Sequence, residues 1–435
     1  MAKIIQLKDA WGEDVYPIVQ GAGYQLFDQY NVPTDGVTDS AAALQDVLDN
    51  CGAILNFRPG TYILSTSLQL DTAKIKVLNG NGAILKVNGD FPAIVMYGSG
   101  SNSFTANPST MTAQQKETEA STIVQDLKVM CNAATETGTG IRVTQCWTPI
   151  IQNCYFRFLR VGIEIYGRNR NIIIANNNIY QCGDYGILFS AGSNTHQVNI
   201  VGNHISYCQT CLSFYQTQQT ANVQIVGNDI EIDTWPGDQS HTTKRCIVVD
   251  YQNTSDALFS EFEITGNTIQ GHDISNGLID ISGNSSAFVE NVSIGDNQIS
   301  NSTGYAVKLT NVHNFTLCGN TYRHISAKVL ELAGTINGLV MNGEVSEGGT
   351  GFVNSAASAV LRAVTLNALT GRGMSGSITL SCDTIDGLSV TGCNIASSGL
   401  TIAANTKDYI SVVGNVLRGT YNVATATHRQ EVNNI

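Results

Sequence analysis

The chain has 435 residues, of which 13% are charged, 42% are hydrophobic and 42 are glycine, and its formal net charge is −12 at pH 7. Phosphate binding needs clustered Lys and Arg and no such run occurs, which argues against a nucleic-acid partner, and the apolar content argues against disorder. No stretch of about 18 apolar residues is present and charge interrupts the N-terminus early, so neither membrane insertion nor export by a signal of its own is expected.

Residues 1–30 carry their own alternation in KIIQLKD and DVYPIV, fit no repeat, and read as an N-terminal attachment arm. Asp39 then stands as an N-cap ahead of Ala43, Leu44, Val47 and Leu48, one helical apolar stripe ending near Gly52. A solenoid exposes the core of its first coil, so this helix reads as a cap. The segment ILNF, a turn at Arg58-Pro59-Gly60-Thr61 and TYIL begin the sheet wall, so 31–62 hold the capping helix and the first strands. Residues 99–122 are small, polar and aperiodic, which marks a loop insertion.

From there the chain is a ladder of similar segments: ANNNI, VGNHI, VGNDI, TGNTI, GDNQI and CGNTY. Taking the middle residue as a marker gives Asn153, Asn177, Asn203, Asn228, Asn267, Asn297, Asn320, Gly343, Asn367, Cys393 and Asn415, mostly 22 to 26 residues apart. Such a period points to a solenoid whose units bury their apolar faces on one another. Before each marker apolar residues alternate with polar ones, as in Val198-Asn199-Ile200 and Val223-Gln224-Ile225, which is a strand with one buried face. A further strand recurs in GIEI, GILF, CLSF, CIVV, LIDI and AVKL. The leucine-rich repeat frame does not recur. The fold class is therefore all-β, a single-stranded right-handed parallel β-helix over 31–420 with an N-terminal capping helix, a second loop insertion at 233–261 and a C-terminal tail at 421–435. The marker suits a corner of positive φ or an internal ladder of stacked amides, and both readings stay open.

Eleven cysteines without framework spacing read as buried free thiols, the Cys208/Cys211 pair included. Acids and rings concentrate between 147 and 251, the equipment of a sugar site. Glu231 and Asp233 alternate with Ile230 and Ile232, so they project from one face roughly 6.6–6.8 Å apart at Cα, close to the roughly 6.5–9.5 Å between the carboxyls of inverting glycosidases. Glu231, Asp233 and Asp250 are the candidates for acid and base. Trp235, Tyr215 and Tyr207 are candidate stacking platforms, and His241 and Arg245 candidate substrate-binding groups beside Lys244. His204 reads as an outward polar filler. Repeat alignment places Glu164, Leu188, Ser213, Val248, Asp280, Lys308 and Glu331 in one outward row and Tyr166, Ser190, Tyr215, Asp250 and Ser282 in another.

Asp35, Gly36, Thr38, Asp39, Ala42, Gln45, Gly52, Phe57, Pro59, Gly60, Thr61 and Tyr62 resemble the DGxTDxxAAxQ…GxxxFxPGTY opening of the pectate-lyase-like β-helix superfamily, which holds hydrolases, epimerases and phage tail-spike proteins. An unsignalled β-helix with a short arm is most similar to the tail spikes. That resemblance implies a homotrimer made in the bacterial cytoplasm, attached through residues 1–30 to other tail or baseplate proteins, and acting in the virion at the host surface. It implies binding of a bacterial surface polysaccharide with cleavage by a hydrolase more than a lyase, or else a non-catalytic glycan-binding or structural β-helix. No cofactor is implied for a hydrolase, and calcium for a lyase. The polygalacturonase arrangement of an aspartate pair and a further aspartate ahead of GHG and RxK is missing.

Overall fold

One coil shows how the repeat folds. Asn194–Val201 is a strand, Gly202 and Asn203 turn the chain, His204–Ser206 is a second short strand, and after Tyr207–Gln209 the chain runs out again as Thr210–Tyr215. The next coil repeats this with Gln219–Val226, Asp229–Glu231 and Arg245–Asp250. Pairing between coils is parallel and in register, Val198 on Val223, Ile205 on Ile230 and Leu212 on Ile247. These three strand positions are called here the first, second and third walls.

The computed structural model describes residues 7–8, 14–15, 22–99, 113–132, 136–233, 244–252, 259–272, 277–376, 378–395, 399–417, 419, 421–423, 425–432 and 434. Among the described residues fifteen second-wall strands stack from Asp35–Asp39 to Val416–Leu417. At about 4.8 Å per coil they make a rod roughly 65–70 Å long. The fold is the parallel β-helix expected. Its core is a continuous column, in which Ile174, Ile200, Ile225, Ile264, Ile294 and Leu317 succeed one another with no exposed surface. Each such side chain contributes on the order of 2–3 kcal/mol by leaving water.

Both readings of the marker hold, at adjacent residues. A left-handed residue forms the corner, with φ of 56° at Asn176, 65° at Gly202 and 65° at Gly227. The residue after it turns inward: Asn177, Asn203, Asn228, Asn267, Asn297 and Asn320 are all buried and joined amide to amide at 2.9–3.0 Å. The register assigned to three markers needs correction. Asn153 and Gly343 occupy the corner position (φ 54° and 68°), so Cys154 and Glu344 are the inward residues there. Asn367 ends a strand one residue before the corner at Ala368. Asparagine suits either place, because it tolerates left-handed φ and can also stack its amide, so its position alone does not fix the frame.

At the N-terminus the helix Ala41–Asn50 buries Ala41, Leu44, Val47 and Leu48 as expected, but its cap residue is Ser40. Asp39 stands one residue earlier, where Oδ1 accepts the Ala41 N–H at 3.1 Å and Oδ2 the Ser65 hydroxyl at 2.6 Å, tying the helix to the first strands. Asp35 closes an Asx-turn with the N–H groups of Val37 and Thr38, both at 2.8 Å, which gives the DGxTD opening its physical meaning. The stretch read as an arm contains a helix, Ala22–Gln29, whose Phe27 packs edge-on against Phe57 and Tyr62. The residues read as a tail continue the coil: Tyr421–Val423 and Arg429–Val432 pair with Leu400–Val413, and Asn434 accepts from Asn415 at 3.0 Å. Ten cysteines are buried and free, and Cys318 is exposed.

Candidate functional site

Because a strand turns alternate side chains away from the core, the third wall carries two parallel rows on its outer side, the first of them largely covered by its neighbours. One runs Glu164, Leu188, Ser213, Val248, Asp280, Lys308, Glu331 in unbroken register. The other runs Tyr215, Asp250, Ser282. The first is the row that the repeat alignment predicts, and the second holds the last three of the five residues predicted for it; Tyr166 and Ser190 fall outside its paired register. Tyr185, Tyr215, Arg245, Asp250, Asp280 and Lys308 line a cleft of ≈ 400 Å³ on this wall.

Asp280 is the most heavily supported group in it. It is 7% exposed, accepts the Tyr305 hydroxyl at 3.2 Å, and pairs with the Arg245 guanidinium at 3.3 Å. Tyr305 reaches it because the ring lies on Gly277, its partner across the coil: a Cβ there would stand 2.0 Å from a ring carbon. The Lys308 ammonium sits 5.8 Å from the centroid of the same ring. Burial, and after it the charge of Asp280, push the Tyr305 phenol well up, so it remains a donor. Burial raises Tyr185 as well, with Asp184 adding to the effect.

Asp250 lies one coil below and two residues along from Asp280, which the register converts to about 8 Å between Cα atoms. Its carboxylate accepts from Gln252 at 2.6 Å. Tyr215, directly beneath Asp250, is 40% exposed, and Tyr166 further down the wall is 42% exposed with Arg142 5.7 Å from its ring. Glu164, in the row beside it, is held by Arg142 at 2.8 Å and Ser190 at 2.6 Å. The wall is thus a strip of carboxylates, hydroxyls and upright rings. Buried Lys244 donates across the base of the insertion to the Asp233 carbonyl, which fixes the point where Arg245 enters the cleft.

Asp250, Tyr215 and Arg245 therefore come together. Glu231, Asp233 and Tyr207 gather elsewhere, on the second wall and its corner, and do not line the cleft. There His272 stands between the two acids, Nε2 3.4 Å from Glu231 and Nδ1 3.6 Å from Asp233, so both project from one face as their alternation predicts. Tyr207 packs on Tyr180 at 4.9 Å. His204 points outward between Asp229 (3.0 Å) and Ser206 (2.9 Å). Trp235 and His241 lie outside the described residues. Asp280, Tyr305 and Lys308 did not stand out as functional, although the row alignment contained Asp280 and Lys308. The readable signal was Gly277 opposite Tyr305, a glycine where the wall otherwise wants a side chain. Among the described residues no group of three or more His, Cys, Asp or Glu side chains is placed to hold a metal ion, and no helix is long and apolar enough to cross a membrane.

A family model described as right handed beta helix region matches residues 92–249. The tailspike protein of the Escherichia coli bacteriophage HK620, in complex with a pentasaccharide, superposes with a TM-score of 0.52 at 11% identity, covering 98% of this chain and 77% of that one. A mutant of that tailspike, also with the pentasaccharide, gives 0.57 at the same identity and coverage. The enzymatically active domain of tailspike protein 2 from bacteriophage CBA120 aligns at 13% identity and a TM-score of 0.44, over 82% of this chain; the chain spans 50% of that domain's length. No curated protein matches in sequence. The likeness is one of fold, the right-handed parallel β-helix of the tailspikes.

Proposed function

We propose that the chain binds a bacterial surface polysaccharide along its third wall and hydrolyses it between Asp250 and Asp280. The observation that carries this reading is the placement of two carboxylates on adjacent coils beside the exposed ring of Tyr215. With Cα atoms about 8 Å apart, two Asp side chains can hold their carboxyls at the roughly 6.5–9.5 Å that leaves room for a water in inversion. Asp280, paired with a guanidinium and a phenol that hold it in place, serves as base and takes a proton from the water attacking the anomeric carbon. Asp250, whose partner is the neutral amide of Gln252, donates its proton to the glycosidic oxygen as the bond from that carbon breaks. Tyr215 and Tyr166 offer flat faces to pyranose C–H groups. This scheme needs no cofactor.

Assembly as a homotrimer belongs to the same reading. One outward row of the first wall runs Ile150, Ile173, Asn199, Gln224, Glu263, Ser293, Thr316, Val340, Thr365, with a single charge among them. Copies of a chain of net charge −12 approach one another most easily there. Attachment of residues 1–30 to a phage tail completes the proposal.

Incubating the purified chain with host capsule or lipopolysaccharide, while following reducing ends and absorbance near 232 nm, tests it. Reducing ends should rise without the absorbance of an unsaturated uronate. An absorbance rise would make the enzyme a lyase. Binding without either signal would leave a non-catalytic adhesin.

A further inference from the structure

Around the corner from the third wall, Arg168–Ala175 opens with two arginines that point away from the core column yet are 5% and 2% exposed. Between them Asn169 turns inward, its side chain joined to the Cys146 N–H and the Tyr166 carbonyl. Arg170 spends one nitrogen on the protein: Nη1 donates to the Asn169 carbonyl at 2.9 Å and to the carbonyl and Oδ1 of Asn194 at 3.2 and 2.9 Å. Its Nε and Nη2 are buried and have no acceptor. The hydroxyl of Ser193, the residue before Asn194, is likewise buried without a partner.

Buried N–H groups of a cation are among the costliest to leave unmade, and native interiors satisfy nearly all of them with protein, water or an ion. Burial, with the charge of the adjacent Arg168 adding to it, lowers Arg170 to about 10. The guanidinium still carries its charge at neutral pH. Nε and Nη2 form one edge of the guanidinium, and their parallel N–H bonds match two oxygens of a single oxyanion.

We propose that the Nε–Nη2 edge of Arg170, with the charge of Arg168 beside it, binds a small inorganic oxyanion of the phosphate or sulfate type in the corner next to Ser193. Size limits the ligand: a side chain 2% exposed is closed to a substituent carried on a polymer, which leaves a small free anion. The site lies apart from the cleft and its role is to satisfy the open edge of Arg170, so it does not depend on the glycan reading.

The test is thermal melting of the full chain against phosphate and sulfate, with ionic strength held constant by chloride. A saturable rise of several degrees is expected. Arg170→Met should abolish the saturable part, and Arg170→Lys, which keeps the charge and loses the fork, should weaken apparent affinity about tenfold or more. A rise that never saturates and is shared by Arg170→Met is the general salting effect of these ions and overturns the proposal. Should Arg170→Met fail to fold, calorimetric titration of the unmodified chain decides: about one phosphate per chain supports the site, and no binding heat with no saturable shift refutes it.

Discussion

Asn320 donates both its backbone N–H and its Nδ2 to the carboxyl of Glu344 at 3.2 Å, and this contact ends the file of six stacked asparagines. Glu344 has no exposed surface, and desolvation raises it to about 7 despite the hydrogen bonds from Asn320 that act the other way. A carboxyl that holds its proton more tightly folded than unfolded gives full stability below its ordinary value near 4.5. That contribution is lost as the pH climbs towards about 7. The loss should reach about 3 kcal/mol at pH 8. Glu344→Gln keeps an acceptor for Asn320 without the charge, so it should melt higher than the parent at pH 8 and show no difference near pH 4.5. Equal melting temperatures at both pH values would remove the ionisation from the account.

The ladder itself should be costly to interrupt. Asn228 accepts from the backbone N–H and the amide of Asn203, and donates to the Ile200 carbonyl and to Asn267, all within 3.0 Å. Asn228→Ala leaves several of those groups buried and unpaired, at about 1–3 kcal/mol each. A total loss of about 3 kcal/mol or more is expected from denaturant unfolding. Val226→Thr on the outward face of the same coil should change little.

Gly277 and Tyr305 should behave as a pair. A methyl at Gly277 displaces the ring and withdraws its hydroxyl from Asp280, so Gly277→Ala and Tyr305→Phe should lower kcat in the same direction while the KM for oligosaccharide moves less. Their double mutant should be no worse than the poorer single one. Additive losses in the double mutant would mean the two residues act separately.

The fold was legible because its signals are repeated: period-two alternation and the corner recur coil after coil, although the corner asparagine alone left the frame open by one residue. The rows of the third wall followed from the same alignment, which is why Asp280 could be placed beside Val248 without being singled out. The site was harder, because outward polar residues on a β-helix look alike whether or not they act. Glu231 and Asp233 drew attention by their spacing along one strand, whereas the cleft is built across coils, between Asp250 and Asp280, and depends on a glycine seat for Tyr305. The N-terminal helix was missed because DVYPIV and AGYQLF mix both periods within a few residues, and the C-terminal coil because only Asn434 retains the marker.

The catalytic assignment separates the two walls. Asp250→Asn and Asp280→Asn should each cut cleavage by about a hundredfold or more, while Glu231→Gln and Asp233→Asn should stay within a few fold. Tyr215→Ala should weaken binding by about tenfold with a smaller effect on kcat. Reducing-end assays on one oligosaccharide preparation give all five values.

The most direct measurement is a crystal structure of the Asp280→Asn chain with an oligosaccharide cut from the host polysaccharide. A sugar ring against Tyr215, with a glycosidic oxygen within hydrogen-bond reach of Asp250 and the opposite face of its anomeric carbon open towards residue 280, is the predicted result. A glycan seated instead on Tyr180 and Tyr207, beside Glu231 and His272, with the third-wall cleft empty, would contradict it.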